Sequence, residues 1–457
     1  MEMDTIAAIS TGMTSSGIGI VRISGPDSFQ IARQIFINKS HHTLDQFESH
    51  HAYYGFICDE KNIIDEVLLL PMKSPNTFTM EDTVEIDCHG GILVMRKILQ
   101  TVIKYGARIA DPGEFTKRAF LNGRIDLSRA EAVIDVIQSK NEYMLKNSVN
   151  QLTGKLYEEL KSIRDDILYE IAFIESALDD PEHISLDGYP EKLNVKTGSL
   201  IEKITKLSSS FREGKIISEG INTVIIGKPN VGKSSLLNVL LGENRAIVTD
   251  IAGTTRDAIE ETIVMKDILL NIVDTAGIRE TDDVVEKIGV DKAKSMAHDA
   301  DLILLIIDSS SDLSEEDYEL FDFIKDKKAI ILLNKVDLIG KINASDIHHY
   351  SEHPVIEISA REELGIEQLK NQVEQMFLSG FLTFNDEVTI TNERHKGLLY
   401  EAEKSLKLVL SSIDHQMPED FFSIDLMNAY DCLGRIIGEQ IDDDVVNEIF
   451  SKFCMGK

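Results

Sequence analysis

The segment from Gly227 to Ser234 reads GKPNVGKS, which matches the phosphate-binding pattern GxxxxGK[ST]. In this pattern Gly227 and Gly232 let the backbone curl, so that its N–H groups face phosphate oxygens. Lys233 places a positive charge between the terminal phosphates, and the Ser234 hydroxyl suits Mg²⁺. A lone match would indicate only a nucleotide of some kind, so the base has to be read from other segments.

Two later segments favour GTP over ATP. A carboxylate such as Asp337, in the segment Asn334-Lys-Val-Asp337, can accept hydrogen bonds from both N1–H and the exocyclic amine of guanine. Adenine cannot supply that pair of donors, and an unpaired buried carboxylate would be costly. The segment Ser359-Ala-Arg361 follows the next predicted strand and is expected to close over the base. The predicted base-binding residues are Asn334, Lys335, Asp337, Ser359, Ala360 and Arg361.

The segment Asp274-Thr-Ala-Gly277 indicates hydrolysis. Asp274 can reach Mg²⁺ through water, and the Gly277 N–H can sense the γ-phosphate. The next residue is Ile278, where many small GTPases carry a glutamine that positions water. An apolar side chain cannot polarise water, so either hydrolysis is slow or another group supplies this chemistry. The charged stretch 279–286 offers candidates.

The composition limits the classes of function. A length of 457 residues suggests roughly two to four domains. The formal net charge of -31 argues against broad, sequence-blind binding to nucleic acid, although a local basic patch remains compatible with it. No apolar run reaches about 18 residues, and the N-terminus has no signal-peptide pattern. We therefore expect a cytoplasmic protein without stable membrane association. The four cysteines show no CxxC spacing and indicate a reducing compartment: Cys58, Cys88, Cys432 and Cys454.

Short apolar runs predict the sheet that must position the nucleotide site. From Ile221 to about Gly380 the pattern repeats strand, loop and helix. Runs that are apolar almost throughout are typical of strands buried on both faces of a mostly parallel sheet. The predicted strands are 223–226, 269–273, 302–307, 330–333 and 355–358.

The flanking regions have a different character. Residues 1 to about 118 predict a mixed α/β domain, with strands at 18–23 and 83–88 and a helix at 92–105. Apolar residues from Leu152 to Leu178 recur at spacings of four and three, which predicts one long helix that ends at 179–182. Helical patterns return after about Val388. The simplest architecture is a GTPase domain inserted into a helical domain, in which 120–213 packs on 388–457.

Further motifs in the flanks narrow the possibilities to one family. Segments 14–25 (TSSGIGIVRISG), 81–91 (EDTVEIDCHGG), 112–123 (PGEFTKRAFLNG) and 453–457 (FCMGK) resemble the MnmE, or TrmE, family of tRNA modification GTPases. The segment GTTRD at 253–257 resembles the wider Era-like group of translation GTPases. The resemblance covers essentially the whole chain in order, and the terminal Cys-x-Gly-Lys is highly specific, because few other families end that way.

The resemblance implies a multidomain α/β and all-α fold. A folate-binding and dimerisation domain is expected at 1–118, a helical domain at 119–215 and 383–457, and an inserted Ras-like P-loop GTPase domain at 216–382. It also implies a homodimer that forms a heterotetramer with MnmG, a flavoprotein using FAD and NADH. Together they would add an aminomethyl or carboxymethylaminomethyl group to C5 of the wobble uridine, U34, of certain tRNAs. The methylene would come from 5,10-methylene- or 5-formyl-tetrahydrofolate.

The resemblance further implies ligand-binding positions. Potassium would bind Asn230 together with Thr249, Ile251 and Thr254, and magnesium would bind Ser234 and Thr255. Glu286 would orient the attacking water. Folate would bind Arg22, Glu85, Arg124 and the C-terminal Lys457, and Cys454 would take part in the modification chemistry. The remaining expected GTP contacts are Val231, Gly232, Lys233, Ser235, Asp250, Ala252, Gly253, Asp274, Thr275, Ala276 and Gly277.

Two alternative readings of the sequence compete with these expectations. A regulatory Era-type switch would bind RNA or the ribosome without altering a base. It fits the GTP motifs but not the terminal Cys454-Met-Gly-Lys457. The pair Cys88-His89 could mark a metal site, yet no second ligand pair has suitable spacing, so a strand end is expected there.

Overall fold

The computed structural model describes residues 4–39, 46–244, 260–265, 268–273, 300–378, 389–453 and 456. The chain divides into two compact units. The first unit contains 1–137, 148–204 and 397–457, and the second contains 138–147 and 205–396. In the part of the chain that is described, no helix is both long and apolar enough to cross a membrane.

A mixed sheet forms the N-terminal part of the first unit. Its strand order is β3-β4-β5-β6-β2-β1-β7, and every pairing is antiparallel except that of β1 with β7. The strand predictions at 18–23 and 83–88 are confirmed. The strands are β1 (Ile6–Ile9), β2 (Ile18–Ser24), β3 (Phe36–Asn38), β4 (Tyr53–Asp59), β5 (Asn62–Met72), β6 (Thr83–His89) and β7 (Arg108–Ile109).

Two helices cover one face of this sheet and close its core. Helix α1 (Ser28–Ile35) and helix α2 (Ile92–Lys104) bury apolar residues at helical spacing, among them Ile31 and Ile98. These side chains pack with alternate strand residues such as Val21 and Ile86, because side chains along a strand alternate between the two faces. The predicted helix at 92–105 is therefore confirmed.

The helical part of the first unit differs from the sequence prediction in one respect. The sequence predicts one long helix here, but the structure has two. Helix α5 (Glu142–Leu152) ends at Leu152, and helix α6 (Lys155–Asp179) begins at Lys155. Gly154 between them has φ +95°, a left-handed conformation that interrupts the α-helix. The apolar stripe also ends one residue earlier than predicted, since Ala177 is buried and Leu178 is exposed. The predicted end of the helix is confirmed at Asp179.

Helices that are far apart in the sequence pack together in this unit, as predicted for 120–213 and 388–457. Arg164 of α6 crosses to the C-terminal helices, where its guanidinium lies 4.1 Å from the Tyr430 ring centre and donates to Glu439 Oε1 at 2.8 Å. The first unit's remaining helix bounds are α3 (Glu114–Leu121), α4 (Leu127–Gln138), α5 (Glu142–Leu152), α6 (Lys155–Asp179), α7 (Tyr189–Ser209), α13 (Glu393–Asp414), α14 (Asp420–Ile437) and α15 (Asp443–Ser451). Of these, α4, α5, α7 and α13 also have residues in the second unit.

The second unit contains the mostly parallel sheet that the apolar runs predict. Its order is β13-β12-β11-β8-β10-β9, and only β9, at one edge, runs antiparallel to its neighbour. All five predicted strands are present. The strands are β8 (Ile221–Ile226), β9 (Glu260–Met265), β10 (Ile268–Val273), β11 (Leu302–Asp308), β12 (Ala329–Asn334) and β13 (Val355–Glu357).

Both faces of this sheet are covered, which explains the nearly continuous apolar runs. In β11, Leu304 belongs to the core on one face and Leu305 to the core on the other, and both are fully buried. The bounds of the helices in this unit are α8 (Phe211–Glu219), α9 (Lys233–Asn244), α10 (Glu315–Ile324), α11 (Ala344–Ile347) and α12 (Ile366–Leu378).

Candidate functional site

The phosphate-binding loop connects β8 to α9 at the carboxyl edge of the second unit's sheet. Gly227 and Gly232 have φ angles of +152° and +106°. A Cβ atom on Gly227 would lie 2.6 Å from the Ile306 carbonyl oxygen, and one on Gly232 would lie 2.3 Å from Asn334 Nδ2. Only glycine fits either position, so the tight curl predicted for the loop backbone is present.

Lys233 is the first residue of α9, and its side chain folds over the loop. Its Nζ donates hydrogen bonds to the carbonyl oxygens of Gly227 and Lys228, each at 2.8 Å. Ser234 and Ser235 follow in the first helical turn and are exposed. The ammonium group and the N-terminus of α9 thus lie at the same point, which is the arrangement that binds phosphate.

Asn334, the last residue of β12, joins the two loops that a guanine nucleotide needs. It is 2% exposed. Its Nδ2 donates to the Val231 carbonyl oxygen at 2.7 Å, and its Oδ1 accepts from the Ala360 N–H at 3.0 Å. One buried amide therefore fixes the phosphate-binding loop against the loop at 359–361, and each of its polar ends is satisfied.

Asp337 and the loop at 359–361 form the rim of the predicted base site. The Ser359 hydroxyl donates to Asp337 Oδ1 at 2.6 Å and accepts from the Glu362 N–H at 3.2 Å. The Arg361 side chain is 82% exposed and lies 3.7 Å from Glu362. Asp337 is thus held in place while exposed to solvent, whereas the Arg361 side chain extends into solvent.

Asp308 supports Lys335 at the predicted base site, although no sequence motif contains it. Lys335 has φ +66°, and its Nζ lies 2.6 Å from Asp308 Oδ2 at the end of β11. Burial raises the pKa of Asp308, but hydrogen bonds from Lys335 and Ser310 outweigh burial and hold that pKa below its ordinary value. The sequence feature that could have identified Asp308 is its position as an acidic residue at the end of the apolar run of β11.

Several predicted site residues lie outside the described residues. They include most of the expected potassium site, the expected second magnesium ligand, the glutamate expected to orient water, and the cysteine and lysine of the C-terminal motif. They are Thr249, Asp250, Ile251, Ala252, Gly253, Thr254, Thr255, Asp274, Thr275, Ala276, Gly277, Glu286, Cys454 and Lys457.

The described part of the loop offers oxygen donors that suit both expected cations. Asn230 has φ +61° at the outside of the curl, and its side chain is exposed, as is that of Ser234. Amide and hydroxyl oxygens are the hard donors that magnesium and potassium prefer. The residues present therefore fit the ions that the sequence analysis expects.

The predicted folate residues of the N-terminal sheet meet around one aromatic ring. Arg22 on β2 lies opposite Glu85 on β6, and its Nε is 2.7 Å from Glu85 Oε1. The guanidinium groups of Arg22 and Arg124 lie 5.9 Å and 4.9 Å from the centre of the Phe78 ring. Arg22, Glu85 and Arg124 are thus brought together, and Phe78 is the residue that sequence reasoning missed.

An open cavity adjoins this group. Its volume is about 410 Å³, and its lining includes Met72, Phe78, Met80 and Arg124. That volume lies within the range of small-molecule sites. Gly456 lies against the same sheet, since a Cβ atom on it would lie 2.2 Å from the Ile9 carbonyl oxygen.

A network of ion pairs around the buried Arg118 explains part of the sequence resemblance. Arg118 is 4% exposed and forms ion pairs with Asp4, Glu81 and Glu114. Burial raises the pKa of Glu114, but Arg108, the Asp111 N–H and Arg118 outweigh burial and lower it. Glu81, Glu114 and Arg118 all belong to the motif segments 81–91 and 112–123, so their charges were the available signal.

Cys88 and His89 end β6, as predicted, and the described residues show no cluster of metal-ligating type there. Burial and the neighbouring Asp65 raise the pKa of the Cys88 thiol to about 11, which keeps it protonated and unreactive. His89 is exposed, and its Nδ1 lies 2.8 Å from Asp65 Oδ1. Cys58 and Cys432 are also free thiols.

Comparison with known proteins agrees with this organisation. Two family models match the chain: the "GTP-binding protein TrmE N-terminus" at residues 5–124 and the "MnmE helical domain" at residues 127–454. The tRNA modification GTPase MnmE of Lachnoclostridium phytofermentans is 55% identical over 458 residues, covering 100% of both chains. Its counterpart in Clostridioides difficile is 49% identical and covers 99% of both. The chain therefore belongs to the MnmE (TrmE) family of tRNA modification GTPases.

Proposed function

We propose that this chain binds and hydrolyses GTP in the course of modifying tRNA. The observation that carries the proposal is the position of Asn334. It joins the phosphate-binding loop to the loop beside Asp337 at the carboxyl edge of a parallel sheet. Family membership, which extends over the whole length of the chain, supports tRNA as the substrate.

Binding of GTP follows from the groups already in place. Lys233, the loop N–H groups and the N-terminus of α9 together attract the β- and γ-phosphates. Asp337 accepts the two guanine hydrogen bonds that adenine lacks. Ser359 and Asn334 hold both loops in place before the nucleotide binds. Binding therefore loses little conformational entropy in ordering these loops.

We propose that Mg²⁺ is held by Ser234 and Thr255, and K⁺ by Asn230 with Thr249, Ile251 and Thr254. The cations would neutralise charge that develops on the phosphates during hydrolysis. Glu286 would orient the attacking water, since Ile278 cannot. Asn230 and Ser234 are exposed on the described loop, which is compatible with both roles.

We propose that the N-terminal group binds a tetrahydrofolate that supplies the one-carbon unit. Arg22 and Arg124 suit the anionic part of the cofactor, Glu85 suits the donor face of its pterin ring, and Lys457 would add a further positive charge. Cys454 would take part in the chemistry. The remaining part of the proposal is a homodimer that acts in the cytoplasm with the flavoprotein MnmG, which carries FAD and uses NADH.

Steady-state GTP hydrolysis in potassium and in sodium buffers of equal ionic strength tests the GTPase and its ion together. We expect faster hydrolysis in potassium. The substitution Asn230→Ala should remove that difference, and Glu286→Ala should abolish turnover while leaving GTP affinity nearly unchanged. Equal rates in both salts would reject the potassium site, and parallel loss of GTP binding would reject the role of Glu286.

Equilibrium dialysis with labelled 5-formyl-tetrahydrofolate tests the N-terminal site separately. Arg22→Ala should weaken binding about 10- to 100-fold, because a charge-assisted hydrogen bond contributes about 1.5–3 kcal/mol. Arg96→Ala, which removes an exposed arginine from α2, is the matched control and should bind like the parent. Unchanged binding by Arg22→Ala would place the folate elsewhere.

A further inference from the structure

A buried carboxylate outside the sequence motifs holds the side chain of Lys228 in the phosphate-binding loop. Lys228 Nζ lies 2.5 Å from Asp317 Oδ2 and 3.0 Å from Ser314 Oγ. The Asp317 side chain is 1% exposed, and that of Lys228 is 18% exposed. Water therefore screens this ion pair little, and its attraction is stronger than that of a surface pair.

The end of α10 keeps this carboxylate in one place. Asp317 lies in the first turn of the helix, and its Oδ2 also accepts hydrogen bonds from the Ser314 N–H at 2.9 Å and the Ser314 hydroxyl at 3.0 Å. The positive end of the helix adds to these contacts. Any movement of Asp317 would break its hydrogen bonds with Ser314 and with Lys228, so Asp317 anchors Lys228 to a rigid helix.

The backbone of the same lysine contacts the phosphate-binding side chain. The Lys228 carbonyl oxygen accepts from Lys233 Nζ at 2.8 Å, beside the equivalent contact from Gly227. A continuous path therefore runs from Asp317, through the side chain and then the carbonyl of Lys228, to Lys233. Displacing Lys228 would release one of the carbonyl contacts that orient Lys233.

We propose that Asp317, acting through Lys228, is a positioning residue for phosphate binding. The inference rests on the proposed GTP function and adds a residue that none of the nucleotide motifs contains. With the anchor in place, the loop is ordered before nucleotide arrives. Without it, the loop must be ordered during binding, which lowers affinity for every nucleotide that carries a β-phosphate.

Nucleotide titration of the full-length chain tests this role. Asp317→Asn and Lys228→Met should each raise the Kd for GTP and for GDP about tenfold, with kcat changed less than about threefold. The double variant should be little weaker than either single one, since both remove the same contact. Lys228→Arg retains a long cation and should bind nearly as the parent does.

Two measurements separate the positioning role from general damage. Asp312→Asn and Lys341→Met remove an exposed ion pair of 2.8 Å in the same unit and should leave the Kd unchanged. The ratio of Kd values for GTP and ITP should also stay at the parental value, because ITP differs only in lacking the amine that Asp337 binds. If Asp317→Asn does not fold, Lys228→Met carries the test, since its site is less buried.

The outcomes distinguish this inference from the proposed function. A parent chain that fails to bind GTP would reject the function itself. A parent that binds GTP, with a folded Lys228→Met of equal affinity, would overturn only the positioning role. An equal loss of affinity in Lys228→Arg would also overturn it, because the defect would then not depend on the cation.

Discussion

Asp337 is the residue on which we expect discrimination between purine bases to depend. Its Oδ1 is held by the Ser359 hydroxyl at 2.6 Å, so the carboxylate has a fixed place at the rim of the site. Asp337→Asn replaces one acceptor with a donor, and that pair of groups matches xanthine, which has an oxygen where guanine has its amine. We expect GTP affinity to fall at least about 100-fold and XTP to become the better ligand.

Competition between XTP and GTP for the variant measures this switch directly. Asp346→Asn, at an exposed acid in the same unit, is the control and should keep the parental preference. Loss of GTP binding without a gain in XTP would show that Asp337 supports the loop without reading the base.

Asp135 gives the first unit a dependence on pH. Burial and the nearby Glu131 raise its pKa from 3.8 to about 6. Because the folded chain binds this proton more tightly than the unfolded chain, the free energy of unfolding falls as pH rises through about 4 to 6 and stays lower above it. A shift of about two pKa units corresponds to at most about 3 kcal/mol.

Urea unfolding at about pH 5 and about pH 8 tests this dependence. The parent should be less stable at the higher pH, and Asp135→Asn should reduce the difference. The His89–Asp65 pair contributes in the same direction, since Asp65 raises the pKa of His89 and the charge attraction is lost as His89 deprotonates with rising pH. If the Asp135→Asn variant kept the parental pH dependence of stability, that dependence would have to come from other titratable groups.

The nucleotide residues could be predicted from sequence because their motifs are local. A glycine pattern or a segment such as 334–337 contains its own chemistry within a few residues. Phe78 could not be predicted, because it matters only by lying between Arg22 and Arg124, which are far from it in sequence. Asn334 was predicted to bind the base, but its bridge to Val231 and Ala360 is visible only in three dimensions.

At the scale of elements, the strands buried on both faces of the second unit's sheet were predictable and one helix boundary was not. The runs in β8, β10, β11, β12 and β13 stand out because both faces of the sheet are buried. The boundary at Gly154 was missed because apolar spacing continues across it from Leu152 to Leu156. Periodicity reports which face is buried and does not reveal a single left-handed residue.

Gly154→Ala should therefore destabilise the first unit by about 1–3 kcal/mol. The left-handed φ of +95° disfavours any side chain, and the added Cβ would lie 1.7 Å from Arg129 Nη2. Moving that arginine would also disturb its contact with Tyr157, whose ring centre is 5.2 Å away. Urea unfolding measures the change.

Gly198→Ala is the matched control for this prediction. It makes the same substitution within α7 of the same unit, where an added Cβ meets nothing within 4 Å. Alanine favours a helix over glycine, so this variant should be more stable than the parent by up to about 1 kcal/mol. Equal stability of the two variants would contradict the role assigned to Gly154.

At the scale of the whole molecule, charge limits how the chain meets tRNA. With a net charge of -31, the overall field repels a polyanion, so most of the contact must come from a local patch or from a partner. We expect the lone protein to bind tRNA with a Kd above about 1 µM at physiological salt. Low-nanomolar binding by filter assay in the same buffer would contradict this expectation.

Mass spectrometry of wobble nucleosides in bulk tRNA tests the central claim most directly. Cells lacking this protein should lose the 5-aminomethyl-type uridines. The parent gene should restore them, whereas the phosphate-site variant Lys233→Ala and the thiol variant Cys454→Ser should not. Wobble uridines that are unchanged in cells without any second copy of the gene would contradict the modification role and favour a regulatory GTPase that alters no base.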